Sequence, residues 1–487
     1  MNISSYARLP ERFFARVKPT PVAMPRLLRF NHALNAELEL DSGPLDAEVL
    51  ARLYSGNAVP PGLEPIAMAY AGHQFGVFVP QLGDGRALLL GESQDRSGER
   101  RDIQLKGSGR TPYSRGGDGR AALGPVLREY LVSEAMHALG IPATRALAAV
   151  ATGESVFRED GPLPGAVLTR VAASLVRVGT FQYFAARDDT DAVRRLADYV
   201  IERHYRRVLA GGQPYLALLQ AVANAQASLI ASWMNVGFIH GVMNTDNMAV
   251  SGETIDFGPC AFMDSYDPAA VFSSIDRAGR YAYGNQPHAA VWNLARFAET
   301  LLPLIDANTE RAVELAGEVI ASFRTRFSDA LLSGLRRKLG LSLPEEGDSQ
   351  LAADLLDAMH RNQADFTLTF RRLCDAAETD EAEASLQSLF ANRRDFDDWG
   401  VRWRARLARD PAERRARAAA MRQANPAVIP RNHRIEQVIN AAEGGDFAPF
   451  AELSTVLAQP YRALPGYESY ADPPQPNERV LQTFCGT

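Results

Sequence analysis

Residues 240–258 read HGVMNTDNMAVSGETIDFG, and this stretch decides how the whole chain is interpreted. Asp246 and Asn247 are adjacent, and Asp256 opens a later Asp-Phe-Gly triplet. Their side-chain oxygens are hard ligands of the kind that suits Mg²⁺ or Mn²⁺. The stretch therefore predicts a divalent-metal site at Asn247 and Asp256. His240 is expected to be a structural residue that hydrogen-bonds the loop.

The spacing of these residues matches the catalytic segment of protein kinases at all but one position. In that segment, H-R-D-x-x-x-x-N supplies the base and one metal ligand, and D-F-G supplies the second ligand. If His240 is the first residue of the pattern, Asn247 falls on the metal-binding Asn, but Val242 falls on the catalytic Asp. The letters alone leave two interpretations open: a kinase-like protein without its base, or an enzyme that carries out different chemistry with the same residues and a new Asp at 246.

Outward from this stretch, strand patterns dominate the first third of the chain and helix patterns dominate the rest. We expect an α+β protein with a two-lobed, protein-kinase-like fold. A β-rich lobe spans residues 1–175, and an α-rich lobe with a helical C-terminal extension spans 176–487. The individual predictions are two strands in 75–92 around a hairpin turn at 83–85, strands at 101–107 and 165–172, a helix from 214 to 237, a short strand at 253–258, a loop at 343–350 and an extended tail beyond about 460. A further helix is predicted in 124–142, with Gly140 at its C-terminal cap and Pro142 blocking its continuation.

Lys106 ends a predicted strand in which apolar and polar residues alternate. Glu129 lies on the apolar face of the following helix, beside Val126 and Val132, where an unpaired carboxylate is costly. An ion pair that directs Lys106 onto nucleotide phosphates would satisfy Glu129. The alternative is a partly exposed Glu129 that reaches past its neighbours to water.

Several glycines and arginines are candidate phosphate ligands, each with an ordinary structural alternative. Gly83, Gly85 and Arg86 could bring backbone N–H groups and charge to a phosphate, or could simply form a turn. The loop after Lys106 carries Asp118 and Gly119 among arginines, and it fits an anion site or a solvated loop equally well. Arg170 and Arg177 lie in apolar surroundings, so each needs an anion, either a carboxylate or a polyphosphate.

Composition narrows the class of protein. The 487 residues are 46% hydrophobic and 23% charged, with a net charge of −6, which argues against nucleic-acid binding through bulk charge. The three cysteines lack C-x-x-C spacing, so we expect neither a structural zinc site nor an oxidising compartment. No apolar run approaches the roughly 20 residues of a membrane span, and no signal peptide is evident. We expect a cytoplasmic monomer that binds neither membrane nor nucleic acid.

Long stretches of the chain resemble the selenoprotein O (YdiU) family of kinase-like protein adenylyltransferases. The resemblance covers nearly the whole length and is carried by long motifs in the same order. They are YARLPERFFARVKPTPV (6–22), YAGHQFGVFVPQLGDGRALLLGE (70–92), QLKGSGRTPYSRGGDGRAALGPVLREYLVSEAMHALGIP (104–142), RVGTFQYFAAR (177–187), GFIHGVMNTDNMAVSGETIDFGPCAFMD (237–264) and NPAVIPRNHRIEQVINAAEGGDF (425–447).

The resemblance implies transfer of AMP from ATP to Ser, Thr or Tyr hydroxyls of proteins, with pyrophosphate released and ATP bound in a flipped orientation. It implies that Asp246 is the proton acceptor and that Asn247 and Asp256 hold Mg²⁺ or Mn²⁺. The nucleotide contacts it implies are Gly83, Gly85, Arg86, Lys106 with Glu129, Asp118, Gly119, Arg170 and Arg177.

Three alternatives remain. An ordinary kinase is disfavoured by Val242, and a non-catalytic pseudokinase scaffold is disfavoured because Lys106, Glu129, Asn247 and Asp256 are all present. Uridylyl transfer from UTP with Mn²⁺ is not distinguished by any residue. The resemblance also implies a functional C-terminal cysteine, and our hypothesis is that Cys485 pairs with Cys260 as a redox switch.

Overall fold

The computed structural model describes residues 1–40, 46–158 and 161–484. Strands occupy the first part of the chain and helices the rest, so the expected α+β composition is confirmed. The strands are β1 (Phe14–Arg16), β2 (Arg26–Phe30), β3 (Ile66–Met68), β4 (Gly72–Gln74), β5 (Val77–Val79), β6 (Ala87–Gln94), β7 (Arg100–Lys106), β8 (Ala121–Ala122), β9 (Arg145–Arg158), β10 (Gly161–Ala172), β11 (Phe238–Ile239) and β12 (Ala261–Phe262). The helices are α1 (His32–Glu37), α2 (Ala47–Tyr54), α3 (Leu123–Ala138), α4 (Val178–Ala185), α5 (Thr190–His204), α6 (Pro214–Asn235), α7 (Gln286–Ile305), α8 (Thr309–Leu339), α9 (Asp348–Asn362), α10 (Phe366–Glu378), α11 (Glu383–Gln387), α12 (Arg393–Arg409), α13 (Arg414–Ala424), α14 (Asn432–Glu443) and α15 (Ala448–Leu457).

The main sheet is antiparallel, with strand order β1-β3-β6-β7-β10-β9-β2, and β8 pairs with β10. Alternation along β7 decides which residues face the site. Ile103 packs with α1 and α2 on one face, whereas Gln104 and Lys106 turn towards α3. Because side chains alternate across a strand, Lys106 is brought to the α3 face by the same pattern that buries Ile103.

Helix α3 links the sheet to the helical part of the protein. Its apolar residues join a core that also includes residues of α4, α6, α7, α14 and α15. The rings of Tyr130 on α3 and Phe450 on α15 meet edge to face at 5.5 Å between centroids. A separate core lies among α9, α10 and α12, where Trp399 and Trp403 stack. Helix α3, which carries Glu129, is therefore covered by the sheet on one side and by the last helices of the chain on another.

Most of the predicted elements are confirmed with small shifts at their ends. Helix α3 ends at Ala138, and the predicted C-terminal glycine, Gly140, follows it with a φ of 77°. This is the left-handed conformation that glycine adopts after a helix. The predicted loop at 343–350 is shorter than expected, because α9 already begins at Asp348. The tail beyond 460 contains one short 3₁₀ helix, Glu468–Ala471.

One predicted turn and one predicted strand were wrong, although both strands expected in 75–92 are present. Gly83-Asp84-Gly85 is not a hairpin turn, because β5 pairs with β4 and β6 pairs with β3 and β7. The hairpin turn is Phe75-Gly76, with φ of 51° and 88°, between Gln74 and Val77. Positive φ at both central residues fits the right-handed twist of the strands. Residues 253–258 form only an isolated bridge, from Thr254 to Ala143.

Helix α6 bears on the expectation that no apolar run approaches the length of a membrane span. Among the described residues, it is the one helix long and apolar enough to cross a membrane by length and composition. More than half of its most apolar window is buried within the protein. Leu219, Val222 and Ile230 are all fully covered, as they are in the central helix of a globular core.

Candidate active site

Lys106 is held between two carboxylates. It ends β7, and its Nζ lies 2.6 Å from Oε2 of Glu129 on α3 and 2.8 Å from Oδ1 of Asp256. Glu129 is buried, so the interpretation in which it reaches past its neighbours to water is excluded. The predicted pair is confirmed, and Asp256 of the Asp-Phe-Gly triplet completes it. The strand, the helix and the loop thus converge on one ammonium group.

Arg170 binds the same two carboxylates from β10. Its Nε donates to Oε1 of Glu129 at 3.0 Å, and its Nη2 donates to the same atom and to Oδ1 of Asp256. Its Nη1 donates to Oε1 of Gln104 at 3.3 Å. The guanidinium is buried, and carboxylates and an amide take up its hydrogen bonds. Of the two anions that the sequence left open for Arg170, the structure therefore shows a carboxylate.

The cations control the ionisation of both acids. Burial by itself would raise the pKa of Asp256, but Arg170 and Lys106 hold that pKa well below its usual range. Burial likewise opposes ionisation of Glu129, and Arg170 and Lys106 lower its pKa. Both carboxylates are therefore charged at neutral pH, because an opposite charge within a few ångströms favours the charged form.

Arg177 lies beside this cluster but is bound less completely. It precedes α4, and its Nη1 donates to the carbonyl oxygen of Asp246 at 3.1 Å. The nearest carboxylate oxygens, Oδ2 of Asp256 and Oδ1 of Asp84, lie at 3.8 and 3.9 Å. Its Nε has no hydrogen-bond partner among the described residues. The guanidinium lies 4.4 Å from the centre of the Tyr70 ring, at cation–π distance.

Asp246 lies in a 3₁₀ turn, Thr245–Asn247, under the β4–β5 hairpin. Its Oδ2 accepts a hydrogen bond from Nε2 of Gln74 at 3.3 Å. Its Oδ1 is buried without a donor among the described residues. Burial raises the pKa of Asp246 to about 6, against the effect of nearby Arg177. A buried carboxylate with one unpartnered oxygen and a raised pKa has the properties of a proton acceptor.

The two predicted metal ligands, Asn247 and Asp256, each carry an oxygen that could bind a divalent cation. Nδ2 of Asn247 donates to the carbonyl oxygen of Val242 at 3.0 Å, which leaves the amide oxygen of Asn247 for a ligand. Oδ2 of Asp256 lies 3.8 Å from Nη1 of Arg177, beyond hydrogen-bond distance. Among the described residues, no three His, Cys, Asp or Glu side chains form a group that could hold a metal. Two oxygen donors fit Mg²⁺, which commonly takes its remaining ligands from phosphates and water.

His240 and the backbone at Asp256 shape the metal-binding segment. Nδ1 of His240 accepts from the backbone N–H of Val242 at 3.3 Å, so its Nε2 donates to the carbonyl oxygen of Ile255, 2.9 Å away. The predicted structural role of His240 is confirmed. Asp256 has a φ of 65°, a left-handed conformation that costs a non-glycine residue on the order of 1 kcal/mol. The bond to Ile255 helps to hold the chain in that conformation.

Of the glycine-rich candidates, those around Asp84 lie beside the ion cluster, whereas those around Asp118 do not. Asp84 is buried, and its backbone N–H and Oδ2 both bond Met68 on β3. Gly83 and Gly85 therefore lie next to the ion cluster, and a Cβ on either would collide with Tyr113. Arg86 follows directly and leads into β6.

Asp118 is not brought to the cluster. It is exposed, and it pairs with Arg158 at 2.9 Å. The carbonyl oxygen of Gly119 accepts from the N–H of Gly109, and a Cβ at Gly119 would lie 2.2 Å from that backbone. These two residues shape a loop at the edge of the site. The structure shows no contact between them and Lys106, Glu129 or Asp256.

The sequence interpretation missed four residues that line the cluster: Tyr70, Gln74, Asp84 and Gln104. Gln104 is fully buried, and it joins Arg170 to Asp84 through its amide. The alternation in β7 already placed Gln104 on the Lys106 face, so this residue could have been found. The hairpin residues could not, because Phe75-Gly76 is not a common turn sequence.

Two of the three cysteines, Cys260 and Cys374, lie within the described residues. Cys260 is buried and its Sγ lies 3.1 Å from the carbonyl oxygen of Phe257, while Cys374 on α10 is buried with its Sγ 3.4 Å from Nδ2 of Asn425. Cys485 lies outside the described residues, so its pairing with Cys260 stays a hypothesis.

Comparison with known proteins agrees with this geometry. Residues 2–458 match the family described as "Protein adenylyltransferase SelO". A protein of Bradyrhizobium sp. (strain BTAi1) is 64% identical over 485 residues, which cover 99% of this chain and 98% of the relative. A protein of Rhizobium meliloti (strain 1021) is 61% identical over 485 residues, covering 99% of each chain. Both relatives are named "Protein nucleotidyltransferase YdiU".

Proposed function

The chain belongs to the SelO family and is a nucleotidyltransferase, and on that premise we propose that it transfers AMP from ATP to Ser, Thr or Tyr hydroxyls of proteins. The observation that carries the proposal is the position of Asp246. Val242 stands where a kinase base would be, whereas the Asp246 carboxylate is buried beside the ion cluster. Arg177 links the two, because its Nη1 reaches both the Asp246 carbonyl and Asp256.

The transfer needs a base, cations on the phosphates and a leaving group. The acceptor hydroxyl oxygen attacks the α-phosphorus, its proton passes to Asp246, and the bond to the β-phosphate oxygen breaks to release pyrophosphate. Lys106 and Arg177 would bind the phosphates, and Glu129 would orient Lys106. Gly83, Gly85 and Arg86 would cover the nucleotide beside the cluster. Asp118 and Gly119 would act at its outer edge.

Asn247 and Asp256 would hold Mg²⁺ or Mn²⁺. The metal ion, when bound, would neutralise charge on the phosphates. The two protein oxygens would leave its remaining positions to phosphate oxygens and water.

The same premise supports a kinase-like arrangement in two lobes. The first, residues 1–175, would contain the main sheet and α3. The second, residues 176–487, would contain the 245–247 turn, Asp256 and the helices from α4 onwards. The contacts of Lys106 with Glu129 and Asp256 would then join an N-lobe strand and helix to the metal segment of the C-lobe. We also propose that the protein acts as a cytoplasmic monomer on protein substrates, without nucleic acid or membrane.

The proposal is tested by determining which phosphate of ATP, α or γ, is transferred to the product. The purified chain is incubated with Mg²⁺ or Mn²⁺ and ATP labelled at the α- or the γ-phosphate, with Asp256→Ala as the blank. Label from α only, lost in the variant, is the expected result. Label from γ would make the protein a kinase and remove the assigned role of Asp246. A parallel reaction with α-labelled UTP and Mn²⁺ decides between adenylyl and uridylyl transfer. Binding of ATP with no label from any nucleotide would favour a scaffold.

A further inference from the structure

Resting on this proposed function, we propose that Gln74 is a positioning residue for Asp246. Its side-chain amide donates to Oδ2 of the carboxylate and so fixes the orientation in which Asp246 meets the acceptor hydroxyl. The inference rests on strand β4, which lies directly over the 245–247 turn.

Strand β4 presents two residues to Asp246 on one face. Side chains alternate along a strand, so Gly72 and Gln74 point the same way. Nε2 of Gln74 donates to Oδ2 of Asp246 at 3.3 Å. A Cβ on Gly72 would lie 2.4 Å from Oδ1 and 2.9 Å from Cγ of Asp246. One residue therefore donates to one oxygen, and the other, by lacking a side chain, lets the second oxygen pack against the strand.

A closed set of hydrogen bonds fixes β4 in place. The backbone N–H of His73 donates to Oγ1 of Thr245 at 2.7 Å, and that hydroxyl donates to Oε1 of Gln182 at 2.6 Å. Because Oε1 of Gln182 accepts, its Nε2 must donate to Nδ1 of His73, 2.8 Å away. The strand, the turn and α4 are thereby joined through residues next to Gln74 and Asp246 in the chain. The backbone of β4 next to Gln74 consequently cannot move away from the 245–247 turn without breaking this set.

The bond from Gln74 fixes the orientation of the Asp246 carboxylate, because rotation of that group would carry Oδ2 away from Nε2 of Gln74. Oδ1 is buried against Gly72 and has no donor among the described residues, so the bond to Oδ2 is the one side-chain hydrogen bond that holds the carboxylate there. In the reaction, the O–H bond of the acceptor breaks, its proton binds the Asp246 carboxylate, its oxygen bonds the α-phosphorus, and the electron pair of the broken P–O bond leaves with pyrophosphate.

The experiment uses Gln74→Met, which keeps the length of the side chain but removes the donor, and Gln74→Glu, which replaces the donor with an acceptor. Initial rates of label transfer from α-labelled ATP are measured with the full chain. We expect kcat to fall about tenfold in Gln74→Met, as for loss of one hydrogen bond to a charged group. We expect the KM for ATP to change less than about twofold, because Gln74 acts on the base and not on the nucleotide.

A double-mutant cycle separates positioning from a structural effect. In an Asp246→Asn background, we expect Gln74→Met to change the residual rate by less than about twofold, since residues that act as one unit are not additive. The matched control is Gln350→Ala on α9. Gln350 donates to Asp354 at 2.7 Å on an exposed helix, so this substitution removes the same type of bond far from the site and should leave the rate unchanged.

The outcomes are distinct. If Gln74→Met transfers label as fast as an active wild type, the positioning role of Gln74 is wrong and the proposed function stands. The same conclusion follows if Gln74→Met lowers the rate by the same factor in the wild-type and Asp246→Asn backgrounds. A loss confined to the KM for ATP also overturns the positioning role. A wild type that transfers no α-label overturns the proposed function, and the role of Gln74 falls with it. If Gln74→Met is unfolded by circular dichroism, Gln74→Glu decides, with an expected loss of at least about tenfold.

Discussion

Glu129→Gln is the substitution that most directly examines the ion cluster. It keeps the shape of a buried side chain and removes its charge. Glu129 accepts from Lys106 at 2.6 Å through Oε2 and from Arg170 at 3.0 Å through Oε1. A glutamine can still accept through one oxygen, but its NH₂ group would point a donor at one of two cations. Asp256 would then be the one carboxylate in direct contact with both cations among the described residues.

The size of the effect follows from burial. The side chains of Glu129 and Arg170 are 5% and 2% exposed, so water cannot replace the lost charge. Removing one partner of a buried ion pair typically costs about 3–5 kcal/mol. Because Asp256 still lies within 2.8 Å of both cations, we expect a smaller loss, about 2–3 kcal/mol. If all of that energy serves to orient Lys106 towards the nucleotide, kcat/KM for ATP falls by about 30- to 160-fold.

The assay compares Glu129→Gln with Glu134→Gln on the same helix. Glu134 forms an equivalent pair with Arg145, at 2.9 and 2.8 Å, but does not contact the cluster. Both variants should melt at lower temperature in thermal unfolding. Only Glu129→Gln should lose transfer of α-label from ATP. The reasoning is refuted if Glu129→Gln keeps kcat/KM within about threefold of wild type while it melts like the control.

Three further predictions address the metal, the helical core and the hairpin. Treatment with a chelator should abolish label transfer and Mg²⁺ or Mn²⁺ should restore it, whereas Asp256→Asn should stay inactive at any metal concentration, as measured with α-labelled ATP. Burial lowers the pKa of Lys338 to about 7 in the folded protein. Between about pH 7 and the usual lysine pKa, the unfolded chain therefore binds more protons than the folded protein, and the free energy of unfolding rises with pH. Lys338→Met should therefore stabilise the protein by at most about 4 kcal/mol at pH 7 and about 1 kcal/mol at pH 10, and an equal melting-temperature gain at both would exclude this cause. Gly179→Ala should displace the hairpin, because its Cβ would lie 2.1 Å from the carbonyl oxygen of Ala71, and the rate should fall at least about tenfold, while Gly317→Ala on an exposed helix surface should be neutral or stabilising.

The elements that could be predicted are those whose signal is local. The alternation of Ile103 with Gln104 is visible in seven consecutive residues of β7, and it correctly placed Lys106 on the face of α3. Pro214, which is the first residue of α6, is similarly a local signal for the start of a helix. The wrong turn at 83–85 failed for the opposite reason. Gly83 has a φ of 83° and lies against the Tyr113 ring, and Gly85 lies against the carbonyl oxygen of Tyr113, so close packing and backbone conformation explain these glycines without a hairpin.

The same difference between local and distant signals decides which residues of the candidate site could be predicted. The Lys106–Glu129 pair could be inferred because a carboxylate on an apolar helix face needs a cation, and one lay at the end of the preceding strand. Gln74 could not be connected to Asp246, since their contact depends on how a hairpin folds over a turn far along the chain. The resemblance to a family identified the residues of the hairpin as characteristic but assigned them no role.

Arg170 and Arg177 show what the structure adds to a list of matched residues. The resemblance gave both the same task, which was to grip phosphates. Nε, Nη1 and Nη2 of Arg170 all donate to Glu129, Gln104 or Asp256, so the cost of burying its charge is already offset within the protein. Arg177 is equally buried, yet its nearest carboxylates lie at 3.8 Å or beyond and its Nε has no partner among the described residues. A buried guanidinium in that state is stabilised by an added anion, whereas one already saturated gains little. Of the two, Arg177 is therefore the arginine with hydrogen-bonding capacity left for a nucleotide, and Arg170 is the one that holds the two acids in place.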